Sequence, residues 1–324
     1  MPRSQGRQRG ELHFALQGYT PETEDVFIAD LVFPTHSVKS DVGFIHRTPL
    51  KAMLQRPKGG IKRSPGAESK RMTAGMVKQN FVCEENSHEA AVDWYQEDDA
   101  EAQMQSELNA AAINERVLKV EHEAEVADML FNQTNFVAGT NGVDLGTPWS
   151  NGASDPITDV NAGRRATRNK GLYKSNTLII TEKTQEDLSE NGAIRDRLNT
   201  IFGSDNANVK GSTLSADILA RVFSIKNVLI PHIPTDATSM ARTMVNEGVW
   251  ADGFAMLCYV DPNGNVKLPT LGCTFVNSNK GAGGLFNHWS YVEEKIKSDV
   301  LVGEQFTDKV LLEKDLGYLM AGVR

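Results

Sequence analysis

The side chains of this chain that could do chemistry are few and scattered. Three cysteines, Cys83, Cys258 and Cys273, stand far apart, with no Cys-x-x-Cys pair. That spacing suggests neither a zinc knuckle nor a disulfide framework, and it predicts small buried hydrophobes in a reducing cytosol. Cys83 and His88 could form a thiol–imidazole pair, with a thiolate nucleophile activated by the ring. Five residues apart in extended backbone, they are not placed to converge. His122 stands among Glu121, Glu123 and Glu125, a set that could hold a metal. On a helix, however, adjacent residues point in different directions, so these are read as a solvated face. Glu97-Asp98-Asp99 could supply paired carboxylates for acid–base work. They read better as the start of a helix, where the macrodipole favours negative charge. Lys280 to Gly284 is glycine-rich but bridges no clear strand and helix, so it reads as a hinge rather than a phosphate cradle. Gly-x-Ser-x-Gly, phosphate-loop and His-Glu-x-x-His patterns are absent from the sequence. No catalytic, cofactor-binding or metal-ligating residue is assigned.

The elements that would have to position such a site point elsewhere. Val26 to Phe33 is a short apolar run ended by Pro34, a strand or buried arm of the kind neighbours fix in place. Residues 34–80 are broken by Pro34, Pro49, Pro57 and Pro65 and loosened by Gly59, Gly60 and Gly66. Their length and sparse apolar content predict an extended two-stranded flap, with Val42 to Ile45 going out and Met76 to Cys83 returning. Over 99–131, Ala110, Ile113, Val117, Val120, Ala124, Ala127 and Phe131 recur every three or four residues. They predict one long helix, roughly 45–50 Å, packed through that stripe on a flat sheet.

A gly-rich link follows at 132–154. Asp155 and Pro156 then open a helix that Gly171 closes. Next come a buried strand at 176–181, a helix from 185 to 202 after a Thr184 cap, and a helix capped by Ser212 or Thr213. A strand at 227–230 completes a small α/β layer. Phe254 to Val260 and Lys267 to Val276 flank Asp261-Pro262-Asn263-Gly264-Asn265, a hairpin signal. Lys309 to Val323 predicts one closing strand.

The 324 residues exceed one compact core and suggest two packed regions or an elongated molecule. No stretch approaches the roughly 20 apolar residues of a membrane helix, and no secretory signal is expected. The net charge of −8 is unevenly placed. Ten basic residues between Lys39 and Lys78 face only Asp41 and Glu68, while fourteen acids between Glu84 and Asp128 face only Arg116 and Lys119. Blocks of opposite sign permit head-to-tail pairing between copies.

The order of these elements resembles the major capsid proteins of tailed bacteriophages, the Hong Kong 97-like shell fold. The local matches are 63–68 with 81–85, then 121–131 with Trp149 and 155–160, then 176–180 with Leu188 and 194–198, and Asp315 to Leu319. The resemblance implies an α+β fold with an N-terminal arm (1–38) and an extended loop (39–82). It further implies a peripheral domain with a long spine helix (83–170), an axial domain (171–284) and a C-terminal return to the peripheral domain (285–324). It implies a structural, non-enzymatic protein without cofactor, assembling as hexamers and pentamers into an icosahedral shell around phage double-stranded DNA. The virion is then its location, after assembly in the host cytoplasm. A separate scaffolding protein, a portal and decoration proteins would be partners, the DNA would be touched nonspecifically, and no membrane would be involved. Two rivals are an encapsulin-type nanocompartment shell protein and a soluble hydrolase or transferase with no recognisable motif.

Overall fold

The computed structural model describes residues 25–54, 62–69, 75–94, 100–202, 213–236, 246–261, 263–280 and 285–324. Two five-stranded sheets organise them. The first is built on β13 (Ser298–Leu311), a strand of 14 residues. β12 (Asn287–Glu293) and then β11 (Gly272–Asn277) pair along one side of it, and β4 (Glu84–Asp93) along the other. β1 (Thr35–Val38) adds in parallel to β11. The second sheet runs β5 (Gly142–Asp144), β14 (Gly317–Ala321), β10 (Phe254–Cys258), β6 (Thr177–Ile180), β7 (Asn227–Leu229).

The second sheet is buried on both faces, and side-chain alternation sorts its residues between two cores. Leu178, Ile180, Ala255, Leu257 and Met320 face one cluster, under helices α4 (Pro156–Lys170), α5 (Glu182–Glu190), α6 (Gly192–Phe202) and α7 (Ala216–Phe223). Ile179, Met256, Cys258 and Leu319 face the other, with Val126, Ala127 and Leu130 from the long helix α3 (Ala100–Leu130). The start of α4 is as expected: Asp155 accepts from the backbone N–H of Ile157 and Thr158, with Pro156 in the first turn. Gly171 ends the helix in extended conformation.

Several expectations are corrected. The 26–33 run is not a strand; it is buried in part, as the arm reading expected, but in this chain's own core rather than by neighbours. It forms a short helix, α1 (Ala29–Val32), and Ile28, Ala29, Val32 and Phe33 are buried in the chain's own second core. The Phe33 ring lies over Gly272, where an added Cβ would come within 2.4 Å of it. The 185–202 helix is two, broken at Asn191. The Asn191 side-chain oxygen accepts from Ala193 N–H, and its amide donates to the carbonyl of Trp149 and to Ser154 Oγ. These helices start after Thr181 and Ser215, not after Thr184 and Thr213, while Ser212 lies outside the described residues. The 254–276 hairpin does not form. A turn exists, with Gly264 at φ +60°, but the edges of β10 are taken by β6 and β14, and those of β11 by β1 and β13. The loop therefore crosses between sheets. The closing strand is also two pieces, the end of β13 in the first sheet and β14 in the second. Consequently β11, within 171–284, belongs to the sheet of β4 and β13, while β14, within 285–324, joins the sheet of β6 and β7.

The long helix is present, but its buried side is rotated from the expected stripe. Leu108, Ala111, Asn114, Leu118, His122, Val126 and Leu130 are buried, whereas Ile113 is 58% and Val117 is 37% exposed. Of the expected stripe, only Ala127 and Phe131 are buried. The reason is that the sheet offers hydrogen bonds to the helix. Asn114 donates to the Leu301 carbonyl at 2.9 Å and meets His88 Nδ1 at 2.7 Å. Lys309 pairs with Glu125 at 2.5 Å. Satisfied polar groups can be buried, and apolar periodicity does not reveal them. Leu50–Met53 forms a further short helix, α2, and β8 (Pro234–Asp236) pairs with β9 (Asn246–Gly248).

Candidate assembly surface

β2 (Val42–Arg47) and β3 (Val77–Val82) form the expected flap, an antiparallel ribbon in register from Val42↔Val82 to Arg47↔Val77. Its root is clamped. The Arg47 guanidinium, 8% exposed, pairs with Glu313 at 2.5 Å and donates to the Leu312 carbonyl at 2.8 Å. Val82 N–H donates to Asp308 at 2.8 Å, and Cys83 N–H donates to the Asp41 carbonyl at 2.7 Å. Phe81 stacks on Phe275 with ring centres 4.8 Å apart. Asp41 is held by Lys280 at 2.7 Å and by the Asn277 amide at 2.6 Å. Hydrogen bonding from Lys280, then from Asn277, lowers the Asp41 carboxyl below its ordinary range. Burial raises the Asp308 carboxyl.

Beyond the root the ribbon stands open. Val42, Phe44, Val77 and Val82 are exposed, as is Met76 beside it. Lys78 Nζ lies 3.9 Å over the Phe44 ring. A two-stranded ribbon is marginal in water by itself, and a line of exposed apolar residues calls for a cover that no described part of this chain provides. Among the basic residues of the loop, Lys62 and Arg63 are exposed, with Arg63 Nε donating to the Ala67 carbonyl. Arg56, Lys58, Lys70 and Arg71 lie outside the described residues.

The second joint ties the start of the described chain to the long helix. Glu123 is 1% exposed. Its carboxylate accepts from Ile28 N–H, Ala29 N–H and Trp250 Nε1–H at 2.8 to 3.1 Å. Burial raises its carboxyl, against the opposing pull of these donors. Arg116 pairs with Asp25 at 2.7 Å, and His122 Nε2 lies 3.3 Å from Asp30. The solvated-face reading of His122 and Glu123 is therefore overturned: both are buried, and Glu123 is the anchor. Local pattern hides this because the donors stand about a hundred residues away in sequence on either side.

The candidate chemistry does not assemble. Cys83 Sγ approaches the Phe275 carbonyl and His88 approaches Asn114, so they do not meet. Burial pushes the Cys83 thiol up to about 11 and that of Cys258 to about 12. A thiol held protonated is a poor nucleophile. Glu97 to Asp99 and Gly281 to Gly284 lie outside the described residues. Among the described residues no group of three potential metal ligands occurs, and no helix is long and apolar enough to cross a membrane.

Solved structures share this arrangement end to end. A phage-related protein from Bordetella bronchiseptica RB50 matches with a TM-score of 0.71 at 18% identity, covering 98% of both chains. The capsid of cyanophage P-SCSP1u matches at 0.55 and 12% identity, over 94% of this chain and 90% of that one. This is the Hong Kong 97-like capsid fold. A virus-like particle from Pyrococcus furiosus shares the capsid fold at 0.51 and 10% identity, over 96% and 98% of the two chains. No protein-family model matches the chain, and no curated protein matches it. In the capsid fold, α3 is the spine helix and the β2–β3 ribbon is the extended loop.

Proposed function

We propose that this chain is a major capsid protein, a structural subunit that assembles into an icosahedral shell around the double-stranded DNA of a tailed phage. The observation that carries the reading is the clamped, apolar, uncovered flap on a subunit with the capsid fold. Such a ribbon gains its stability by lying over another copy, as obligate interfaces do. Hexamers and pentamers are the units of such a shell. A scaffolding protein, a portal and decoration proteins are its further partners, and the virion is its location. The basic loop would meet the acidic 84–107 region of an adjacent copy and set the register between subunits. Glu84, Glu85 and Glu89 on β4 are exposed and open to such a contact.

An encapsulin-type shell is the second reading, favoured by the likeness to the Pyrococcus furiosus particle. The greater likeness to a phage-related protein ranks it second. Expression of the chain followed by size-exclusion chromatography and negative-stain microscopy tests the proposal. Shells, tubes, hexamers or pentamers are expected. A chain that stays monomeric with scaffold and crowding agent added would overturn it, and a co-purifying cargo enzyme would favour the second reading.

A further inference from the structure

From Val160 to Thr181 this acidic chain carries no Asp or Glu, and five cations: Arg164, Arg165, Arg168, Lys170 and Lys174. The structure divides them. Arg164 turns inward and donates to the Phe223 carbonyl at 3.0 Å, tying α4 to the end of α7. Lys170 donates to the Thr140 carbonyl and to Asn141, and lies 3.9 Å from Asp315. Arg165, Arg168 and Lys174 are exposed and have no ion-pair or hydrogen-bond partner among the described residues. Elsewhere among the described residues Arg47, Arg116, Lys119, Lys183, Lys280 and Lys309 are ion-paired, and exposed Lys39, Lys51, Arg197, Arg221 and Lys226 are not, so what sets this segment apart is that it holds no acid. Arg165 and Arg168, three residues apart, are neighbours on one helix surface, and the amides of exposed Asn169 and half-buried Asn161 flank them. The helix dipole accounts for cations in the last turn only. It explains Arg168 but neither Arg165, further in, nor Lys174, beyond the helix end.

We infer that Arg165, Arg168 and Lys174 form a phosphate-contacting surface for duplex DNA, so that the helix layer over the second sheet faces the packaged genome. The inference rests on the shell reading above and names the residues through which the DNA is touched. Two guanidinium groups on a helix and an ammonium just past its end, in a segment without acids from Val160 to Thr181, suit the regular negative charge of the duplex backbone. They carry no base readout, so the contact is independent of sequence.

The test uses the unassembled full-length subunit and a short duplex of random sequence, with affinity measured by fluorescence anisotropy across a salt series. Each phosphate contact contributes about 0.9 to the slope of log affinity against log salt. The variant R165Q/R168Q/K174Q should therefore lose about 2.7 of slope, and R165Q alone about 0.9. The flap variant K62Q/R63Q should retain the original slope. All three should keep the parent's circular dichroism spectrum, since the substituted side chains are exposed. An unchanged slope in the triple variant, or an equal loss in the flap variant, overturns the assignment. Because the subunit is unassembled, a failure to form shells leaves this result readable.

Discussion

Replacing Glu123 by alanine should loosen the joint between the start of the described chain and the spine helix. Three donors end on this carboxylate: Ile28 N–H, Ala29 N–H and Trp250 Nε1–H. Each buried donor left without an acceptor costs about 1–3 kcal/mol. Removal of the carboxylate also relieves the cost of burying its charge, which is what raises its carboxyl. With three donors left without an acceptor and that relief set against them, a net loss of about 2–5 kcal/mol is expected for Glu123→Ala. Glu123→Gln keeps one acceptor oxygen but turns an amide toward a donor, so it should lose about 1–3 kcal/mol. Urea unfolding of the subunit, followed by tryptophan emission, reads both the stability and the release of Trp250. Limited proteolysis should show faster cutting near 25–33 in both variants. The carboxyl stands raised in the folded state, so its contribution to stability grows as pH falls through the folded value. Glu123→Gln should flatten that dependence. A Glu123→Ala subunit within about 0.5 kcal/mol of the parent, the scale of an ordinary surface change, would refute the reasoning.

Three further outcomes follow from other contacts. The His288 ring, with Nε2 3.8 Å away, and then Lys119 at 2.6 Å hold the Glu115 carboxyl at about 2, below its usual 4.5. Its stabilisation is therefore full above pH 4.5 and lost as pH falls toward about 2. The gap in unfolding midpoint between parent and Glu115→Gln should close over that window, and a gap independent of pH would contradict it. Gly272→Ala forces a Cβ against the Phe33 ring and should destabilise the subunit by about 1–3 kcal/mol in urea titration. Phe44→Asp, on the exposed ribbon, should leave subunit stability within about 0.5 kcal/mol yet abolish shells by negative-stain microscopy. Normal shells from that variant would remove the flap from the assembly surface.

Much of this molecule was legible in one dimension. The long helix, the flap strands, the Asp155–Pro156 helix start and the buried strand at 177–180 each carry a local signal in period, cap or breaker residues. Their order was enough to suggest the capsid fold. What the chain alone did not disclose were relations between distant residues. Which face of the spine helix is buried depends on Leu301, His88 and Lys309, whose groups satisfy Asn114 and Glu125. Whether 26–33 is held by neighbouring copies or by the chain's own core depends on Glu123 and Trp250. Whether 254–276 closes as a hairpin depends on which strands occupy the edges of β10 and β11. Local signals report what a segment can form, because propensity and periodicity act within a few residues. Partner choice belongs to the tertiary structure, because a hydrogen bond or a strand edge can be used once, and the winning partner stands far away along the chain.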